Sequence, residues 1–592
     1  MSKPCEPAPA LPCARRGWFG RAGRGRQGAR ALALAALLAA CAPAAPPLPT
    51  AEPIVVDGSG PAANWLAARH AASGGDFRTA ARLLRRAAAE DPGEPEIRRE
   101  LLRALVAISA WEEAPEVARG LEALAPGDLD AGLLLHLDAL RRGDAGEALE
   151  RARDLDRPVI GRLLAPFLEA WALAAQGRED EALRALAGPE RERVLPWLTA
   201  QHTALLLLRG GHTEAAALAL ESELAADRPL PESFVQAAAH VLQRAGRRDR
   251  AVALVGAQLR HRPGSSVLLH LARLLDEGRS VPPPFADPAG AVADVLLRFA
   301  EALDSQQARD RALRLARLAL FAAPESAEAR LLCARIELAR GAPAEALRVL
   351  EGFPAGSPLA FDAALLRARA LDALGRRGEA ARLLEDLARR HPTRSEPLVT
   401  LGDLTRARED WETAREAYAR AIARLDRIER GHWRLFYAFG ITLERTGRWE
   451  EAERAFRRAL ALEPDQPLVL NYLGYSLVDR GEKLEEAKRM LERAVELAPE
   501  DGYIVHSLGW AHDRLGDHGK AVELLERAVE LAPDDPVIHD HLGDAYWKVG
   551  RRREARFQWN HALALDPEPE LAAKIRRKLE RGLEEDVRAQ GP

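Results

Sequence analysis

Few residues of this chain can be crosslinked or stacked. Its 592 residues include four cysteines, Cys5, Cys13, Cys41 and Cys333, and only the last lies well inside the chain, so no internal disulfide framework is expected. Aromatic residues make up 5%, and no stretch alternates polar and apolar residues at the period of two that a half-buried strand requires. The apolar run Ala31 to Ala40 is too short for a hydrocarbon core of about 30 Å. Catalytic signatures are missing as well: there is no Walker loop, no HExxH helix and no nucleophile elbow. GRGRQG at 23–28 matches the dinucleotide pattern in letters only, because no strand precedes it and no βαβ unit follows. With a formal charge of −4, the chain also lacks the basic excess of a nucleic-acid binder.

What is present is a rhythm. An alanine returns about every 34 residues, at Ala80, Ala114, Ala148, Ala182, Ala216 and Ala251, then at Ala312, Ala346, Ala380, Ala414, Ala452, Ala487, Ala521 and Ala555. Five residues before it, ten of the fourteen units carry glycine, the residue that ends a helix at least steric cost. Twelve residues after it, ten carry proline, which stops the next helix; Pro92, Pro324, Pro464 and Pro533 are examples. The unit therefore reads helix, glycine turn, helix, proline stop.

Toward the C-terminus the unit fills out. Leu508 and Gly509 lie in a first helix and are followed by Ala521, Leu525, Ala528 and Pro533; Gly402, Gly440, Gly474 and Gly543 repeat the glycine. Small residues on both helices let them approach closely. This pattern resembles the tetratricopeptide repeat (TPR). The resemblance implies an all-α, TPR-type helix-turn-helix solenoid, a right-handed superhelix of about 14 repeats. Some repeats are degenerate, since three successive proline slots hold Ile160, Val194 and Arg228. Each unit of such a stack is expected to contact only its neighbours. Cys333, at a buried leucine slot, reads as a packed core thiol.

The N-terminus reads as an export leader. Lys3, Arg15, Arg16, Arg21, Arg24, Arg26 and Arg30 precede the short apolar run, and Leu38, Ala39, Ala40 and Cys41 resemble a bacterial lipobox. Cys41 is the expected lipidation site. Ala42 after it implies sorting to the outer membrane, with the body on its periplasmic face. The expected layout is leader 1–40, Pro/Ala-rich tether 41–60, degenerate N-terminal repeat arm 61–276, Pro-rich break 277–288, C-terminal repeat arm 289–570, and capping helix with tail 571–592. Losing seven basic residues and Glu6 with the leader takes the formal charge from −4 to −10.

All six tyrosines lie in the C-terminal third. In a TPR solenoid, as the resemblance implies, the first helices line the concave face. Counting back from the recurring alanine puts Arg434, Tyr437, Ile441 and Glu444, then Asn471, Tyr475 and Asp479, on that face. Tyr503, His506, Trp510, Asp513 and Arg514 follow, and then Asp540, Asp544, Trp547 and Lys548. Aromatics flanked by Asp, Asn and Arg have the composition of a protein-binding hot spot. We expect the partner-binding residues to be Tyr437, Asn471, Tyr475, Tyr503, His506, Trp510, Asp513, Asp540, Asp544 and Trp547. The bland reading makes the aromatics gap fillers, which suits Trp449, Phe456 and Trp559. His506, His512, His539 and His541 do not form a ligand set, because residues two apart on a helix point to different sides. No metal, cofactor, nucleic acid or small-molecule substrate is expected, and no catalytic residue.

The block from Asn471 to Trp559 looks like the C-terminal part of long TPR lipoproteins of Gram-negative bacteria. In that group His506 often stands as Asp, and His512 replaces the usual repeat tyrosine. One such lipoprotein is an outer-membrane adaptor for a periplasmic C-terminal processing protease that controls peptidoglycan hydrolases. The resemblance implies a lipid-anchored periplasmic scaffold with protein partners. A structural or pilotin-like subunit of a secretion, pilus or polysaccharide machine stands beside it as the alternative.

Overall fold

In the computed structural model the recurring alanine is the pivot of every repeat: all fourteen are buried, none more than 1% exposed. Residues 60–155, 159–187, 196–225 and 228–583 are described. The expected leader, the tether and Cys41 lie outside them. Every regular element among the described residues is a helix, and none is long and apolar enough to cross a membrane.

The chain divides into two compact units, one through Leu387 and one from Ala388. The N-terminal unit pairs α1 (Pro61–Ser73) with α2 (Phe77–Glu90), α3 (Pro95–Ala107) with α4 (Ala114–Leu124), and α5 (Leu129–Arg142) with α6 (Ala145–Asp154). Next come α7 (Val159–Ala175) with α8 (Glu179–Leu186), α9 (Pro196–Arg209) with the short α10 (Thr213–Ala219) and α11 (Glu221–Leu224), and α12 (Glu232–Arg244) with α13 (Arg248–His261). The unpaired α14 (Ser266–Asp276) precedes α15 (Pro288–Ser305) with α16 (Arg309–Ala322), α17 (Ala327–Ala339) with α18 (Pro343–Leu350), and α19 (Ala360–Ala373) with α20 (Arg377–Arg390), in which the boundary falls. The C-terminal unit continues with α21 (Glu396–Arg406) and α22 (Trp411–Ile422), α23 (Trp433–Arg445) and α24 (Trp449–Leu462), and α25 (Pro467–Arg480) and α26 (Leu484–Leu497). It ends with α27 (Gly502–Arg514) and α28 (His518–Leu531), α29 (Pro536–Lys548) and α30 (Arg552–Ala564), and the single α31 (Pro569–Arg581). Among the described residues, fourteen helix pairs match the fourteen periods of the sequence.

Local chemistry sets the helix ends. Asp76, Asp144, Asp410, Asp517 and Asp535 each accept a backbone N–H of the first turn they cap. The turn five residues before the alanine is left-handed, as at Gly516 (φ 86°). Where glycine is missing there, Ser109, Gln307 and Glu409 take the same conformation, at φ 60°, 65° and 62°, and before Ala487 the left-handed glycine is Gly481, one position earlier. The repeat imposes the turn even on residues with a Cβ, which resists it by about 1–2 kcal/mol.

The first-helix glycines of the C-terminal unit are contact points. A Cβ on Gly402, Gly440 or Gly543 would come within 2.5 Å of the rings of Tyr418, Phe456 or Trp559, and one on Gly509 within 2.9 Å of Leu525. Each ring or branch stands four residues after the recurring alanine.

The N-terminal unit departs from a nearest-neighbour stack. Helices α15 and α16 pack on the first helices of much earlier repeats, α3, α5 and α7. Gln201 donates to Asp294 at 2.7 Å, and Arg317 reaches Ser109, 208 positions away, at 3.1 Å. Phe321 meets Trp111 at 5.0 Å and lies under the Arg141 guanidinium at 4.4 Å. The cause is visible in α15: Ala291, Val292, Val295, Leu296, Phe299 and Ala300 make one side apolar, and on the other Asp294 and Arg298 are buried as well, so the helix is covered nearly all round.

The Pro-rich segment at 277–288 lies inside the unit that runs through Leu387. Its backbone is strapped to α12: Gln243 receives the Val281 N–H at 2.7 Å and donates to the Arg279 carbonyl at 2.9 Å, and His240 donates to the Val281 carbonyl at 2.7 Å. Val281 is buried and Phe285 packs on Trp171. Proline removes backbone donors from this segment, and α12 side chains pair the Val281 N–H and the carbonyls of Arg279, Val281, Pro282 and Pro283. Cys333 is fully buried, and burial pushes its thiol up to about 11.

Candidate protein-binding groove

The first helices α23, α25, α27 and α29 make their contacts within the unit with sequence neighbours. Tyr437 is half-buried among Phe456 at 6.1 Å and Tyr472 at 5.9 Å. Tyr475 is half-buried, and its hydroxyl is held well above the usual range by burial and then by Asp479 and Glu444. Tyr503 is half-buried in the first turn of α27, and Asn471 is buried with its side-chain oxygen unpaired.

His506, expected on the groove, is buried. Its Nε2 lies 2.8 Å from Nδ1 of His541, so one ring donates and the other accepts, and both are neutral. Burial pushes His506 down to about 4; burial, then His506, Lys578 and Lys548, hold His541 well below 6.5. Trp510 lies flat on His541 at 4.1 Å, half-buried, with the Arg514 guanidinium 5.8 Å from its ring.

The three aspartates expected to meet a partner already serve the fold. Asp513 is buried and takes Lys548 at 2.6 Å and His518 at 3.0 Å. Asp544 accepts the indole N–H of the core Trp559 at 3.0 Å, as Asp403 accepts the Tyr418 hydroxyl at 2.7 Å in an earlier repeat. In both cases the ring crosses the first-helix glycine and its polar tip needs an acceptor one residue further on. Asp540 and Asp544 also hold Lys578 of α31 at 2.7 Å. Burial raises both carboxylates, although Lys578 pulls them down. Trp547 is half-buried: it tilts on Trp559 at 5.3 Å, carries Arg552 at 3.9 Å, and Gly582 lies against its face with no room for a Cβ. The groove ends at α31.

What remains turned outward is Tyr475, Asp479, Trp510 and Arg514 with Tyr437, Arg434 and Tyr503. Among the described residues no group of side chains is arranged to hold a metal ion.

Tetratricopeptide-repeat models match residues 66–128 and 476–536, 362–394, 393–465 and 514–579. These stretches are tetratricopeptide repeats. Repeats of this family are protein-interaction scaffolds. No curated protein matches in sequence. Among solved structures, the APC/C hetero-tetramer Cut9-Hcn1 is similar at 16% identity over 77% of this chain and 97% of that one, with a TM-score of 0.37. MamA from Desulfovibrio magneticus RS-1 is similar at 22% identity over 29% and 94%, with a TM-score of 0.26, and a further MamA structure at 24% over 29% and 97%, with a TM-score of 0.25.

Two residues of the repeat face escape a count from the alanine. His541 sits one position beside Asp540, off the face that the count selects. Lys578 is three residues after the buried Ile575, so its stem lies beside the apolar stripe of α31; that spacing is the one signal for it in the sequence.

Proposed function

We propose that this TPR protein is a non-enzymatic, lipid-anchored scaffold on the periplasmic face of the outer membrane, and that it holds its partner on the α23–α25–α27 face. The observation that carries the reading is a contrast. Within the N-terminal unit α15 and α16 occupy the first helices of early repeats, while Tyr475, Trp510 and Arg514 keep partly exposed side chains. Half-exposed aromatics beside Arg and Asp are what an interface anchors on. The LAAC sequence ending at Cys41 supports the anchor. Resemblance of the C-terminal block to protease-adaptor lipoproteins supports a periplasmic protease as partner; a pilotin-like assembly role is the second reading.

Affinity purification of the lipidated protein from cells, with identification of what co-purifies, tests the partner. Trp510→Ala is expected to lower recovery of that partner about tenfold or more, while stability falls by only about 0.5–1.5 kcal/mol for the lost stacking on His541. Unchanged recovery places the binding surface elsewhere. Cys41→Ser is expected to move the folded protein to the soluble periplasmic fraction, and retention in washed outer membranes refutes the anchor.

A further inference from the structure

A cleft of about 240 Å³ opens in the N-terminal unit between α7, α9, α12 and the proline strap. Its floor is aromatic. Trp171 and Phe285 meet edge to face at 5.2 Å, and Phe285 lies parallel to the buried His202 at 5.7 Å. Its rim carries Arg209 and Arg244. Because Gln243 and His240 fix the strap backbone, the lining is set before any ligand arrives.

Arg244 differs from its neighbours. Arg247 and Arg250 pair with Glu221, Arg248 reaches the Leu275 carbonyl and Arg279 pairs with Glu277, whereas Arg244 makes no hydrogen bond or ion pair among the described residues. Arg209 holds the Ala174 carbonyl at 3.3 Å and lies 3.7 Å from Glu179, leaving further donors of its guanidinium unused. The acid in the lining, Asp287, is committed through Oδ1 to the Gly290 N–H at 2.7 Å, where it caps α15.

We propose that this cleft binds a carboxylate carried on a flat apolar group, with Trp171 and Phe285 taking the flat group and Arg209 and Arg244 the carboxylate. Guanidinium matches a carboxylate with two parallel donors, and aromatic faces recognise a ring. The volume lies below the range of about 300–1,000 Å³ typical of drug-sized ligands, so it suits one side-chain-sized group. Two sources supply this chemistry: a free aromatic acid, or the C-terminal aromatic residue of a polypeptide. The site is independent of the C-terminal groove.

Calorimetric titration of the full chain with 3-phenylpropionate, an acetylated pentapeptide ending in phenylalanine, and the amide of each tests the proposal. Both amides are expected to bind at least about tenfold more weakly than the acids, and the exposed-site variant Arg244→Gln, with unchanged melting, to weaken the acids by a similar factor. A tighter peptide acid assigns the site to a polypeptide terminus, and a tighter free acid to a small molecule. Amides binding as well as acids, acid binding indifferent to Arg244→Gln, or no binding of either acid at about 10 mM overturns it.

Discussion

In the N-terminal unit one core runs without interruption from Ala68 to Ala370, whereas in the C-terminal unit buried residues fall into separate clusters, such as that around Trp449 and Phe456 and that around Tyr546 and Trp559. Both units repeat the same helix pair. The difference lies in α15 and α16, which are buried along most of their length and return to repeats that are distant in sequence. A repeat array is a sum of neighbour terms only while its faces stay open; once a helix pair fills the face, cooperativity extends over the whole array.

The strongest way to break this comparison is to hollow the filler. Phe299→Ala, at a site 1% exposed, is expected to cost about 3–5 kcal/mol. Hydrogen exchange should then accelerate across α3, α5 and α7 as well as α15, and loss confined to α15 and α16 would show that the core is not shared. Gly509→Leu in the C-terminal unit drives a side chain into Leu525 and is expected to cost about 1–3 kcal/mol. Here exchange should rise in α27 and α28 and fade within a repeat on either side.

Acid sharpens the contrast. Burial holds His136 at about 4, against an ordinary 6.5, while it stays 2.8 Å from the Ala148 carbonyl. Between those values the unfolded chain binds a proton that the folded chain does not, so stability falls as pH falls, by up to about 1.4 kcal/mol per pH unit. His136→Gln should flatten the pH dependence of the urea midpoint of the N-terminal unit between pH 6.5 and 4. In the C-terminal unit His506 and His541 act with the same sign, but the raised Asp540 and Asp544 keep protons in the folded state and gain stability as pH falls. In the N-terminal unit the buried Glu328, raised to about 7, acts as those carboxylates do, so the His136 variant is what isolates the histidine's share there. The smallest effect is expected from Glu409→Gly: releasing a left-handed residue at φ 62° should stabilise the C-terminal unit, as read from urea unfolding, by up to about 1 kcal/mol, offset to some extent by glycine's chain entropy.

The groove shows where reading outward from the repeat stops working. Tyr475 and Trp510 lie partly exposed on the face that the period selects, and Trp449, Phe456 and Trp559 are buried as expected of packing positions. Asp513, Asp540 and Asp544 share that face by spacing yet are engaged from inside, because Lys548, Lys578 and Trp559 reach them from other helices. Spacing assigns a side chain to a face and does not say what covers the face.

The amino-acid sequence by itself determined the helix pair, its period, its left-handed turns and the small residues at its crossings, since each depends on chemistry within about 34 neighbouring residues. Tertiary structure alone decided that α15 and α16 close the N-terminal repeats, that the proline segment becomes a strap on α12, and that α31 ends the groove through Lys578. Those outcomes join residues up to 208 positions apart, and such contacts form according to which apolar surface remains uncovered once the helices exist.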